Sequence, residues 1–79
     1  MKSIHSVEYQ AFLAALKKAR NDKNLKQEIV AQRLKRPQSF VSKYESGERR
    51  LDVVEFLAVA KVLEVDPMQL LADAGLLSI

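Results

Sequence analysis

The chain has 79 residues, a net charge of +3 and no cysteine, which limits it to one domain and excludes disulfide staples and thiolate metal sites. Hydrophobic residues make up 48%, with only two Gly and two Pro; such a composition forms a packed core and argues against a disordered or loop-rich chain. No apolar run approaches the roughly 20 residues that a membrane-spanning helix requires.

The pattern is helical throughout, with punctuation at short intervals. A first helix is predicted after Ser6 as N-cap and runs to about Arg20, with Phe12, Leu13 and Leu16 as its apolar stripe and Asn21-Asp22-Lys23-Asn24 as a polar stop. A second covers about Lys26 to Leu34, with Val30, Ala31 and Leu34 at core spacing, and ends at Lys35-Arg36-Pro37 because the residue before proline is pushed out of helical geometry. A third begins at about Pro37 or Gln38 and ends near Ser46, with Gly47 as its C-terminal cap. Asp52-Val53-Val54-Glu55 has the spacing of a capping box and opens a fourth helix to Leu63, whose predicted stripe is Phe56, Leu57, Ala60 and Leu63. Asp66-Pro67 starts a short fifth helix through Met68, Leu70 and Leu71 to about Ala74. Gly75 then releases an apolar tail, Leu76-Leu77-Ser78-Ile79. No stretch alternates with period two, so no strand is expected. The expected layout is a single all-α domain with a core over about 7–74, a short N-terminal arm and the tail. Met1-Lys2-Ser3-Ile4-His5-Ser6 lacks the apolar stretch of a signal peptide, and the expected location is the cytoplasm.

Charge is sorted along the chain. Residues 1–50 hold twelve Lys/Arg against five Asp/Glu, whereas residues 51–79 hold one Lys against five Asp/Glu. Such an asymmetry presents a cationic region to an anionic partner; the plainer alternative is that the basic residues solvate helix faces.

The most informative stretch is residues 25–47, in which two short helices meet at a turn of a few residues, the arrangement of a helix-turn-helix. Ala31 is placed where the helices cross. Val41, Tyr44 and Glu45 point inward on the third helix. Its outward face carries Ser39, Ser42 and Lys43, flanked by Gln38 and Phe40. Amides, hydroxyls and an ammonium on an outward face suit the reading of base edges and do not build a core.

On these residues the chain resembles the helix-turn-helix domain of phage Cro and repressor proteins, the XRE-type regulators. The matching positions are Leu16 and Arg20, Leu25-Lys26-Gln27, Val30-Ala31, Gln38-Ser39-Phe40-Val41-Ser42, Tyr44-Glu45-Ser46-Gly47, and Ala60 with Leu63. The resemblance implies a five-helix, lambda-repressor-like fold whose third helix enters the major groove of double-stranded DNA, working as a homodimer. It implies that Gln38, Ser39, Phe40, Ser42 and Lys43 face the bases, with Gln38 as the candidate for bidentate adenine recognition. Phe40 either contacts a thymine methyl or is a partly buried aromatic between helices. Gln27 matches the position that clamps a backbone phosphate at a helix N-terminus, and Lys26, Lys35, Arg36, Arg49 and Arg50 are its expected phosphate-binding neighbours. Arg20 and Glu45 resemble an interior ion pair linking the first and third helices. Two positions depart from the pattern: Lys35 stands where the turn often holds Gly and a left-handed backbone, and Ile29 stands where the pattern is polar.

An enzyme is not expected. His5 is the only histidine, it sits in the arm, and no metal-ligand spacing, phosphate loop or nucleophile elbow is present; no cofactor or metal is implied. The alternative function is an antitoxin or protein-interaction module that keeps the helical fold and grips a partner protein, such as a toxin or polymerase. Leu76, Leu77 and Ile79 favour some contact, because an exposed apolar cluster seeks a surface: either a dimer seam or the domain's own core.

Overall fold

A computed structural model describes residues 6–78, and the expectations for His5 and Ile79 lie outside them. The chain folds into five helices: α1 (Val7–Asp22), α2 (Gln27–Leu34), α3 (Gln38–Ser46), α4 (Val53–Leu63) and α5 (Pro67–Asp73). No strand occurs among the described residues. Three helices start on side-chain caps. Ser6 Oγ accepts from the Tyr9 N–H at 3.0 Å, Asp66 caps α5, and Asp52 with Glu55 forms a complete capping box on α4. Each cap satisfies N–H groups that the first turn of a helix leaves without partners.

The helix ends differ from expectation by a residue or two. α1 continues past Arg20 to Asp22, and Lys18 reaches Asp22 at 2.8 Å across one turn, an i,i+4 pair that favours the extra residues. Lys23 caps it, and the next residue, Asn24, has φ 57°, the left-handed conformation that asparagine tolerates. α2 closes on Lys35 with φ 58° and ψ 42°, the left-handed geometry that the turn demands.

α1 packs on α3 and α5, α2 on α3 and α4, and α4 on α5. Phe12, Leu13, Leu16, Val30, Ala31, Phe40, Val41, Tyr44, Phe56, Val59, Ala60, Leu63 and Leu70 form the buried core. Ala31 is 2% exposed at the α2–α3 crossing, where a larger side chain would separate the helices. Ile29 is half-buried.

The stripe expected on α4 needs a correction. Leu57 is 48% exposed and Val59 is fully buried, so the inward face runs through Phe56, Val59, Ala60 and Leu63. α4 is apolar on almost every side, and periodicity then fails to single out the face that neighbouring helices cover. Met68, in the first turn of α5, is likewise exposed. In the tail, Leu76 packs against the core, its N–H donating to Leu71 O at 2.9 Å, while Leu77 is exposed. Among the described residues no helix is long and apolar enough to cross a membrane.

Candidate nucleic-acid interface

α3 divides its side chains by face. Phe40, Val41 and Tyr44 are buried, whereas Gln38, Ser39 and Lys43 are exposed and Ser42 is half-buried. The Ser42 hydroxyl donates to Ser39 O at 3.3 Å, which occupies its proton and leaves its oxygen as an acceptor. A polar ridge of amide, hydroxyl and ammonium groups results.

The ridge is tied to the interior by a chain of hydrogen bonds. Arg20, buried in α1, donates from Nε to Glu45 Oε2 at 2.6 Å and from Nη2 to Glu45 Oε1 at 3.0 Å. Its Nη1 donates to Leu25 O at 2.8 Å, so the guanidinium joins α1, the α1–α2 turn and α3. The Glu45 carboxylate, hydrogen-bonded at both oxygens, holds the Arg20 pKa above its ordinary value. Glu45 Oε1 also accepts from Gln27 Nε2 at 2.9 Å, and Gln27 Oε1 faces Gln38 Nε2 at 3.5 Å. Gln38 thus stands at the outer end of a relay that begins at a buried ion pair, with Gln27 Oε1 at the long end of hydrogen-bond reach of its amide.

The helix starts around this ridge differ from the other three. Lys26 at the start of α2 and Pro37 at the start of α3 supply no side-chain cap. The first N–H groups of both helices therefore point outward at the positive end of the helix dipole, a pairing of donors and field that suits a phosphate. Lys26, Lys35 and Lys43 are exposed and form no ion pair among the described residues.

The arginines are arranged otherwise. Arg36 and Arg49 carry their guanidinium carbons over the Phe40 ring, at 4.4 and 4.9 Å from its centroid, within cation–π range. Phe40 packs edge-on against Tyr44 with centroids 5.6 Å apart and is 7% exposed. Of the two alternatives for this residue, the structure places it as the buried aromatic. This corrects its assignment to the base-facing set: the ring lies buried against Tyr44, beneath two cations. Arg50 stacks over Tyr9 at 4.5 Å, on the side of the domain where α1 begins.

Glu55, which the sequence marked only as the second member of a capping box, meets this group. Its Oε1 accepts from Arg49 Nη1 at 2.9 Å and its Oε2 from Arg49 Nη2 at 2.8 Å, with Arg36 Nη2 at 3.5 Å from Oε2. The Arg49 hydrogen bonds, followed by that from the Asp52 N–H, lower the Glu55 pKa to about 2. The acidic residue was missed because its partners lie 6 and 19 positions away, and no local signal marks such a pairing. The tail candidates stay apart from the ridge. Leu76 is engaged with its own core, and Leu77 is the one exposed apolar residue of the tail among the described residues.

Comparison with known proteins gives concordant results. The helix-turn-helix family model matches residues 16–70. Among solved structures, the chain is similar to an XRE-family like protein from Pseudomonas syringae pv. tomato str. DC3000, with 45% identity, a TM-score of 0.87, and coverage of 99% of this chain and 95% of that one. No curated protein matches.

Proposed function

Because the chain belongs to the XRE-type helix-turn-helix family, a family of DNA-binding regulators rather than enzymes, we propose that it is a sequence-specific repressor that reads the major groove of double-stranded DNA with α3. The observation that carries this reading is the relay from Arg20 and Glu45 through Gln27 to Gln38. It holds one amide of an exposed polar helix face ready for a base edge, and a fixed bidentate donor–acceptor pair discriminates bases by about 1–3 kcal/mol. Ser39, Ser42 and Lys43 complete the reading face. Lys26, Gln27, Lys35, Arg36, Arg49 and Arg50 meet phosphates, which set register and affinity without carrying sequence.

A homodimer places two α3 helices in successive major grooves about 34 Å apart on an imperfect palindrome. The chain represses by occupying a promoter. Selection of bound sites from random duplexes tests the reading through motif, half-site spacing and symmetry together. Gln38→Ala is expected to change the preferred base at one position of each half-site. An unchanged motif removes Gln38 as a reader, and a single non-repeated site removes the dimer.

A second reading is favoured by one observation. Val53, Val54 and Leu57 lie exposed on consecutive turns of α4, at 72%, 75% and 48%, and an apolar patch of this kind suits a protein contact. An antitoxin or adaptor that grips a toxin or polymerase would use it. The two readings are compatible, since the patch and the polar ridge lie on different helices.

A further inference from the structure

We propose that Glu55 is a positioning residue for phosphate binding: from the first turn of α4 it holds the Arg49 and Arg36 guanidiniums over the Phe40 ring, fixing two cations beside the reading helix. The inference rests on the DNA-binding reading above and adds to it a residue of the opposite charge.

A carboxylate next to a surface that meets phosphates repels them, so by charge alone Glu55 opposes binding. Its surroundings account for its place. Glu55 Oε1 accepts the Asp52 N–H at 3.0 Å while Asp52 Oδ1 accepts the Glu55 N–H at 2.7 Å, which locks the side chain to the start of α4. On that anchor it receives Arg49 through two parallel N–H···O bonds, the fork-to-fork geometry that carries direction as well as energy. Arg49 Nη1 also donates to Arg50 O at 3.0 Å. The Phe40 face supplies the remaining wall.

Three contacts on a long side chain remove most of its rotamer freedom before any ligand arrives. They do not use up its donors: of the five N–H bonds of a guanidinium, Arg49 commits three, and Arg36 commits one at long range. Both arginine side chains remain about two-fifths exposed, against 14% for Glu55. The acid thus lies half-buried beneath the cations, and the face left to a phosphate is the cationic one. The low pKa of Glu55 keeps the anchor ionised throughout the neutral range.

Charge and positioning predict opposite signs, which makes the test direct. Glu55→Gln keeps the capping box, since glutamine serves at that position as glutamate does, and removes one negative charge. Binding of a mixed-sequence duplex is measured by fluorescence anisotropy between about 50 and 200 mM salt, a range over which phosphate contacts dominate the affinity. Positioning predicts that Glu55→Gln binds about tenfold more weakly, with a log K against log salt slope shallower by about one phosphate contact. In an Arg36→Gln/Arg49→Gln background the same change is expected to strengthen binding, because only the repulsion remains to be lost. Tighter binding by Glu55→Gln alone, or equal weakening in both backgrounds, overturns the proposal. Should Glu55→Gln fail to fold, Glu55→Asp decides: it preserves charge but withdraws the carboxylate by one methylene, and wild-type affinity and slope in that variant overturn the proposal. A wild-type chain that ignores duplex DNA at low salt instead refutes the regulator reading, and the inference with it.

Discussion

Replacing Glu45 with alanine removes the acceptor of three hydrogen bonds, two from Arg20 and one from Gln27, and leaves the Arg20 guanidinium with only Leu25 O. The side chains of the pair are 10% and 4% exposed, so water does little to replace what is lost. Breaking one partner out of a buried pair costs about 3–5 kcal/mol, mostly because the surviving charge is stranded. A domain of this length is stable by roughly 4–12 kcal/mol in total. For a domain this small each kcal/mol shifts Tm by about 4–8 °C, so Glu45→Ala is expected to melt about 12–40 °C below wild type. Thermal denaturation followed by far-UV circular dichroism reads this directly. The double variant Arg20→Met/Glu45→Leu, which removes both charges and keeps apolar volume, is expected to recover much of the loss. High salt is expected to change the wild-type result little, since buried pairs are weakly screened. A Glu45→Ala protein that melts within about 2 °C of wild type would refute the claim that this pair joins α1 to α3. So would a double variant as unstable as the single one. Glu45 also holds Gln27, so below its melting point the variant is expected to lose base discrimination at the position that Gln38 reads.

Other consequences are accessible to the same measurements. Lys35→Gly relieves a left-handed residue at φ 58°, and is expected to stabilise the fold by about 1 kcal/mol while weakening DNA binding through loss of an exposed cation; stability and affinity moving together would contradict the assignment. The Tyr44 hydroxyl is fully buried with no hydrogen-bond partner among the described residues, and burial pushes its pKa up. An unsatisfied buried hydroxyl costs about 1–3 kcal/mol, so Tyr44→Phe is expected to melt at or above the wild-type temperature, and a clear drop would show that the hydroxyl is bonded. Glu55 titrates near 2 against an ordinary value of 4.5. A depressed carboxylate contributes stability that is full above the unfolded-state pKa and lost as pH falls through the folded one, so the denaturant midpoint is expected to decline from about pH 5 toward pH 2. Glu55→Gln is expected to flatten that decline, and an equally steep acid limb in the variant would assign it to other groups.

The sequence by itself carries the chemistry that acts over a few residues. Ser6, Asp52 with Glu55, and Asp66 announced three helix starts, and Gly47 an end, because a cap is satisfied by N–H groups two or three positions away. The division of α3 into an inward Val41-Tyr44 side and an outward Gln38-Ser39-Lys43 side followed from its period, since its polar and apolar residues are cleanly separated. On α4 that separation is absent, and Leu57 was assigned to the side that Val59 in fact occupies. Only packing against α2 and α5 decides which face of a uniformly apolar helix is covered.

The resemblance to XRE-type regulators placed the Arg20 and Glu45 pair and the left-handed turn at Lys35, neither of which composition or spacing reveals. It did not place Phe40 under two guanidiniums, nor Glu55 beneath them. Caps, breaks and periodicity are written in order along the chain because the groups involved are neighbours in it. The Arg36, Phe40, Arg49 and Glu55 cluster draws on two helices, α3 and α4, and on the loops before and after α3. Its geometry exists only once burial of Val30, Val41, Tyr44, Val59 and Leu63 has brought α2, α3 and α4 to one corner of the domain.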